Sequence, residues 1–164
     1  MQMNKPKPSR ILGIDFGMSR LGLALSDERK IIAMPTATLQ AEKRSEQTVL
    51  KLLETISKLC ETHRCDIEEI VIGLPLMMSG RTGFLADEVK HFAQLLTQST
   101  SVPIRLWDER LTTVQAERSL RESSLTRKKR SKVVDTVSAA IILQSYLDSR
   151  PNPELFSNAP ISSV

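Results

Sequence analysis

Two rhythms of apolar and polar positions alternate along this chain. Residues 11–16 form a short apolar run interrupted by Gly13 and Asp15, and residues 21–26 form another. Runs of this length predict buried strands, here closing a hairpin through a turn at 17–20. Residues 31–39 predict a third strand. Pro35 lies inside it, and its missing N–H places that strand at a sheet edge. Over 45–63 the rhythm changes: Val49, Leu52, Leu53, Ile56, Leu59, Cys60 and His63 recur at the spacing of one helix face. Residues 70–74, ended by Pro75, and 104–108 read as strands again. Between them, Leu85, Val89, Phe92, Ala93 and Leu96 mark an amphipathic helix over 85–98, preceded by a flexible loop at 77–84 that holds Ser79, Gly80 and Gly83. Thr112 followed by Gln115 has the pattern of a capping box and predicts a helix reaching about Glu122. A last helix is predicted over 133–147.

The predicted order is β-β-β-α-β-α-β-α-α. Three strands joined by short turns make an antiparallel meander. The strand–helix–strand alternation that follows implies parallel pairing through right-handed crossovers. One mixed five-stranded α/β sheet with helices on both faces satisfies both. The expected organisation is a loose leader over 1–9, one domain over 10–148 and a frayed tail over 149–164, rich in Pro, Ser and Asn.

Composition narrows the function. The chain has 164 residues, one domain's worth, and a formal net charge of +4. A mild basic excess suits a polyanionic partner without requiring one. Aromatic residues are only 4% of the chain, so contacts to a nucleic acid would run through its backbone and shape rather than through base stacking. Cys60, His63 and Cys65 invite a zinc reading, but a zinc site takes about four ligands and His91 is the one remaining histidine. Neither a signal core nor a run approaching the ~20 apolar residues of a membrane span is found, so the expected compartment is the cytoplasm.

Acidic residues stand in three costly places. Asp15 interrupts an apolar strand, where a carboxylate needs a partner, a hydrogen bond or a metal. Asp108 and Glu109 end the fifth strand. Asp135 opens a helix otherwise built of Val, Ala, Ile and Leu, on the same stripe as Ala139 and Ile142. Each has a plain alternative: a turn cap, an ion pair with Arg110, and a favourable interaction with the helix dipole. With strands one and five parallel, however, Asp15 and Glu109 reach the same sheet edge, roughly 10 Å apart across one intervening strand. Neighbours on a strand point to opposite faces, so Asp108 and Glu109 cannot share a site, and the longer Glu109 spans the gap better. Asp135 can then close the group. Three carboxylates around one point call for Mg²⁺ or Mn²⁺, and two such ions can cleave a phosphodiester.

The stretch from Asp15 through Phe16, Gly17, Met18, Ser19, Arg20, Leu21 and Gly22 to Ala24 is where a resemblance emerges. With Gly73-Leu74-Pro75-Leu76, Asp108-Glu109-Arg110-Leu111-Thr112-Thr113 and Lys132-Val133-Val134-Asp135, the chain resembles the YqgF family over about residues 10–148. These proteins are described as pre-16S rRNA nucleases or Holliday junction resolvase-like. The resemblance implies a ribonuclease H-like fold and phosphodiester hydrolysis in maturing the 5′ end of the small-subunit RNA. It also implies Asp15, Glu109 and Asp135 as catalytic metal ligands, and Arg20 and Arg110 as phosphate or structural partners. Arg127, Lys128, Lys129, Arg130 and Lys132 would lie near substrate. Met77, Met78 and Ser79 depart from the polar loop usual in the family; packing is the expected role of the two methionines. A sugar-kinase or actin-type ATPase would need a second domain that this length cannot supply. The remaining alternatives are a resolvase of branched DNA, which would act as a homodimer, and a ribosome-assembly module that binds nucleic acid without cutting it.

Overall fold

The computed structural model describes residues 5–112 and 131–151. Five strands, β1 (Ser9–Phe16), β2 (Arg20–Ser26), β3 (Ala33–Gln40), β4 (Asp66–Leu74) and β5 (Ile104–Asp108), form one sheet in the order β3-β2-β1-β4-β5. β1, β2 and β3 pair antiparallel, whereas β4 is parallel to both β1 and β5. Helices α1 (Ser45–His63) and α2 (Phe84–Ser99) cover one face, and α3 (Ser131–Ser149) covers the other. Alternation along the central strands sorts the side chains between the layers. Leu12, Ile14, Phe16, Leu23, Leu25, Ile70 and Ile72 join Val49, Leu52, Val89, Phe92 and Leu96 under α1 and α2. Ile11, Ala24 and Val71 meet Ala139, Ile142, Leu143 and Tyr146 of α3.

The element boundaries differ from the expected ones for local reasons. β1 starts at Ser9, inside the expected leader, because Ser9 pairs with Asp66 and its hydroxyl donates to Glu68 Oε2 at 2.6 Å. β4 starts at Asp66 for the same reason. β3 starts at Ala33 rather than at 31, because the N–H groups of Ile31 and Ile32 donate instead to Asp27 Oδ1, at 2.7 and 3.0 Å. Pro35 does sit in an edge strand, next to a register shift opposite Leu23 and Ala24. Thr112 closes a 3-10 turn (Glu109–Leu111) through its N–H and hydroxyl, both donated to the Glu109 carbonyl at 3.0 and 2.8 Å. The rest of the helix expected after it lies outside the described residues. Among the described residues no helix is long and apolar enough to cross a membrane.

Candidate active site

Asp15 is the penultimate residue of β1 and is 4% exposed. Its Cα partner on β2 is Gly22, and continuing the Ile14–Ile72 register places Gly73 of β4 on its other side. All three belong to the α3 face: a Cβ on Gly13, two residues before Asp15, would meet Leu143 at 2.7 Å, and a Cβ on Gly22 would meet the backbone of Asp135. Asp15 is therefore flanked on both sides by positions without a side chain, and these two gaps are filled from elsewhere.

Glu109 fills the gap over Gly73. β5 ends at Asp108, and the 3-10 turn that follows swings Glu109 back over the sheet. A Cβ on Gly73 would lie 2.6 Å from Glu109 Oε1 and 2.6 Å from Ile142 Cδ1. Glu109 is fully buried. Asp108 goes the opposite way. Its Oδ1 caps the turn by accepting from Arg110 N–H at 2.9 Å, and its carboxylate takes the Arg110 guanidinium, Nε at 3.0 Å and Nη2 at 2.6 Å. Those Arg110 hydrogen bonds hold the Asp108 carboxyl below its ordinary range, and the same pairing raises Arg110.

The α3 helix fills the gap over Gly22. The Asp135 carbonyl oxygen comes within 2.0 Å of where a Gly22 Cβ would be, so the start of α3 rests directly on β2. Asp135 is half-buried and on the stripe with buried Ala139 and Ile142, as its spacing predicted. Its carboxylate faces Arg20. Oδ2 lies 3.1 Å from Nε of Arg20, the first residue of β2. Among the described residues no three His, Cys, Asp or Glu side chains are grouped to hold a metal ion. Asp15 and Glu109 are both buried on the α3 side of the sheet, and Asp135, whose backbone rests on Gly22 beside Asp15, pairs with Arg20. Arg127, Lys128, Lys129 and Arg130 lie outside the described residues, and Lys132 falls in the first turn of α3.

The donor set fits a hard divalent cation. Asp15, Glu109 and Asp135 offer oxygen ligands, the type such a cation takes. One feature was not legible in the sequence. The segment after β4 folds into a small finger, with a bridge between Leu76 and Thr82, Gly80 N–H donated to the Met77 carbonyl at 2.8 Å and Gly80 at φ 81°. It presents Met77 and Met78 outward, 54% and 81% exposed, so the methionines do not pack as expected. The finger leans toward Arg110, whose Nη1 is 3.5 Å from the position of a Gly80 Cβ.

Comparison with known proteins adds a second line of observation. The family described as "RuvX: Holliday junction resolvase" matches residues 9–149. A protein of Protochlamydia amoebophila named "Putative pre-16S rRNA nuclease" is 86% identical over 147 residues, covering 90% of this chain and 98% of its own. One of the same name from Clostridium acetobutylicum is 43% identical over 140 residues, covering 85% and 98%. Among solved structures, Thermus thermophilus RuvC superposes with a TM-score of 0.50 at 13% identity, covering 85% of this chain and 95% of that one. At that identity the likeness concerns the fold, which is ribonuclease H-like.

Proposed function

We propose, from the premise that this chain belongs to the RuvX family of Holliday junction resolvases, that it is a divalent-metal-dependent nuclease that processes the 5′ end of pre-16S rRNA in the cytoplasm. The observation that carries the reading is the pair of buried acids, Asp15 and Glu109, on one face of the sheet at the ends of β1 and β5. Both are oxygen donors of the kind a hard divalent cation takes. Asp15, Glu109 and Asp135 would hold Mg²⁺ or Mn²⁺. When bound, such ions supply an activated water and charge stabilisation for the leaving oxygen. The chain's own contribution is placement. Gly22 and Gly73 clear the space beside Asp15, and Ile142 and Leu143 exclude water from below. Arg110, fixed by Asp108 between the turn and the finger, offers its outer N–H groups to a phosphate; Arg20 lies at the opposite rim.

The test is cleavage by the purified protein with Mg²⁺ or Mn²⁺ of three substrates: a pre-16S rRNA 5′ leader, a linear single-stranded RNA and a DNA four-way junction. The expected result is metal-dependent cutting of the leader, lost in Asp15→Asn, Glu109→Ala and Asp135→Ala while the fold persists. Binding without cutting by the unaltered protein would make this an assembly module. Paired cuts in the junction by a homodimer would make it a resolvase. Normal activity in two of the three variants would remove the proposed site.

A further inference from the structure

We propose that Arg20 is a latch on Asp135: it holds the third carboxylate away from Asp15 and Glu109, gives it up when divalent cations bind, and then offers its guanidinium to the scissile phosphate. This rests on the nuclease reading above and adds a role that reading does not assign.

Three observations carry it. The first is that both partners have fixed backbones. Arg20 ends the turn closed by Gly17 N–H on the Arg20 carbonyl at 2.9 Å, and it opens β2 opposite Gln40. Asp135 is wedged over Gly22 by its own carbonyl. Any exchange of partners must therefore run through side-chain rotation, which is the soft degree of freedom. The second is the nature of the contact. Arg20 Nε and Asp135 Oδ2 are 3.1 Å apart, but off the line that a hydrogen bond from Nε requires. This is an ion pair without the forked geometry that locks Arg110 on Asp108. The third is location. The pair is partly solvated, with side chains 27% and 14% exposed, at the rim of the buried acids. With Asp135 on Arg20, its charge is matched by a guanidinium rather than added to those of Asp15 and Glu109. With Asp135 turned inward, its charge adds to theirs and the guanidinium is left facing the site's opening. By linkage, a cation that draws Asp135 inward must weaken the Arg20 contact by the factor by which Arg20 weakens cation binding.

Mn²⁺ binding to the full chain without nucleic acid, read by calorimetry and by electron paramagnetic resonance, tests this apart from activity. Arg20→Ala should bind Mn²⁺ more tightly, by roughly five- to tenfold. In an Asp135→Asn background the same change should have no effect on affinity. In the unaltered protein, the Arg20 Nε–H resonance should shift in step with Mg²⁺ occupancy, a readout that needs no variant to fold. Weaker Mn²⁺ binding by Arg20→Ala would overturn the latch, making Arg20 a positioner that aims Asp135 at the metal. A gain that persists with Asp135→Asn would overturn it in favour of bulk charge. An Arg20 signal indifferent to Mg²⁺ would overturn it too. Failure of the unaltered protein to bind Mn²⁺ would sink the nuclease reading itself, a different outcome from all of these.

Discussion

At the end of β5 two neighbouring acids take opposite paths, and glycines decide what each can reach. Asp108 turns outward to Arg110; Glu109 turns inward because Gly73 leaves a hole that its carboxylate fills. The two glycines beside Asp15 should respond differently to an added methyl. On Gly22 it would meet a helix backbone at 2.0 Å, which cannot rotate away. Gly22→Ala should cost about 3 kcal/mol, the upper end of overpacking, read as a lowered denaturant midpoint. On Gly73 the atoms met are the ends of the Glu109 and Ile142 side chains, which can move. Gly73→Ala should cost only about 1 kcal/mol, yet displace Glu109 and slow cleavage on the order of 10²-fold. Equal loss of stability in the two variants would contradict this assignment. From the sequence, alternation separated Asp108 from Glu109, and the longer reach of the glutamate favoured Glu109. The vacancies were not legible, because a glycine in a strand does not announce what comes from another element to occupy it. Nor was the ion pair of Arg20 with Asp135, a contact between the start of β2 and α3.

Among the elements, apolar rhythm located the five strands and three α-helices of the described residues but not the 3-10 turn at Glu109–Leu111, and the misplaced edges of β1, β3 and β4 are where polar side chains rather than burial set the boundary. The first half of β4, Asp66 to Glu69, carries little apolar signal and is a strand because β1 pairs with it. Glu68 there gathers Ser9 of β1, Lys30 of the β2–β3 turn at 3.2 Å and Arg150 just after α3 at 3.8 Å. Burial pushes the Glu68 carboxyl up, but the hydrogen bonds from Ser9 and Lys30 and the nearby positive charges outweigh it and hold it below its ordinary 4.5. Asp27 is likewise raised by burial, and is brought below 3.8 by the N–H groups of Ile32, Ile31 and Arg29. A depressed carboxyl binds fewer protons folded than unfolded. Its stabilisation is therefore complete above the ordinary value and is lost as pH falls through the lower folded one. Glu68→Gln should melt within about 3 °C of the unaltered protein at neutral pH, since the pairs are partly solvated. It should also lose less on acidification through about pH 4. Parallel melting curves would assign the acid sensitivity elsewhere. The open edge of β3 is met by a side chain of α3. Gln144 of α3 accepts from Ala33 N–H at 2.9 Å and donates to the Ile31 carbonyl at 2.8 Å, as a neighbouring strand would. Gln144→Ala should cost about 1–2 kcal/mol in chemical denaturation, and no change would mean that water replaces it.

Across the whole molecule the two faces of the sheet divide the labour. The larger apolar core lies under α1 and α2, and the smaller one under α3 leaves room at its end for acids. Concentrating negative charge there while binding a polyanion requires positive charge elsewhere, and the net +4 is where the sequence supplies it. Arg127, Lys128, Lys129 and Arg130 equal that excess in number, so replacing all four by Gln would bring the formal charge from +4 to zero. Phosphate contacts release condensed counterions, and each makes log K fall by about 0.9 per decade of salt on duplex DNA or 0.7 on a single strand. If the four engage the backbone, the quadruple variant should bind more weakly and show a salt slope shallower by about 3. The loss should be the same on an RNA leader, a linear RNA and a four-way junction, because phosphates carry no sequence. Measuring binding in Ca²⁺, or in an Asp15→Asn background, separates this from cleavage. A loss confined to the junction would mean that the segment reads branch shape, and an unchanged slope would mean that its charges face only water.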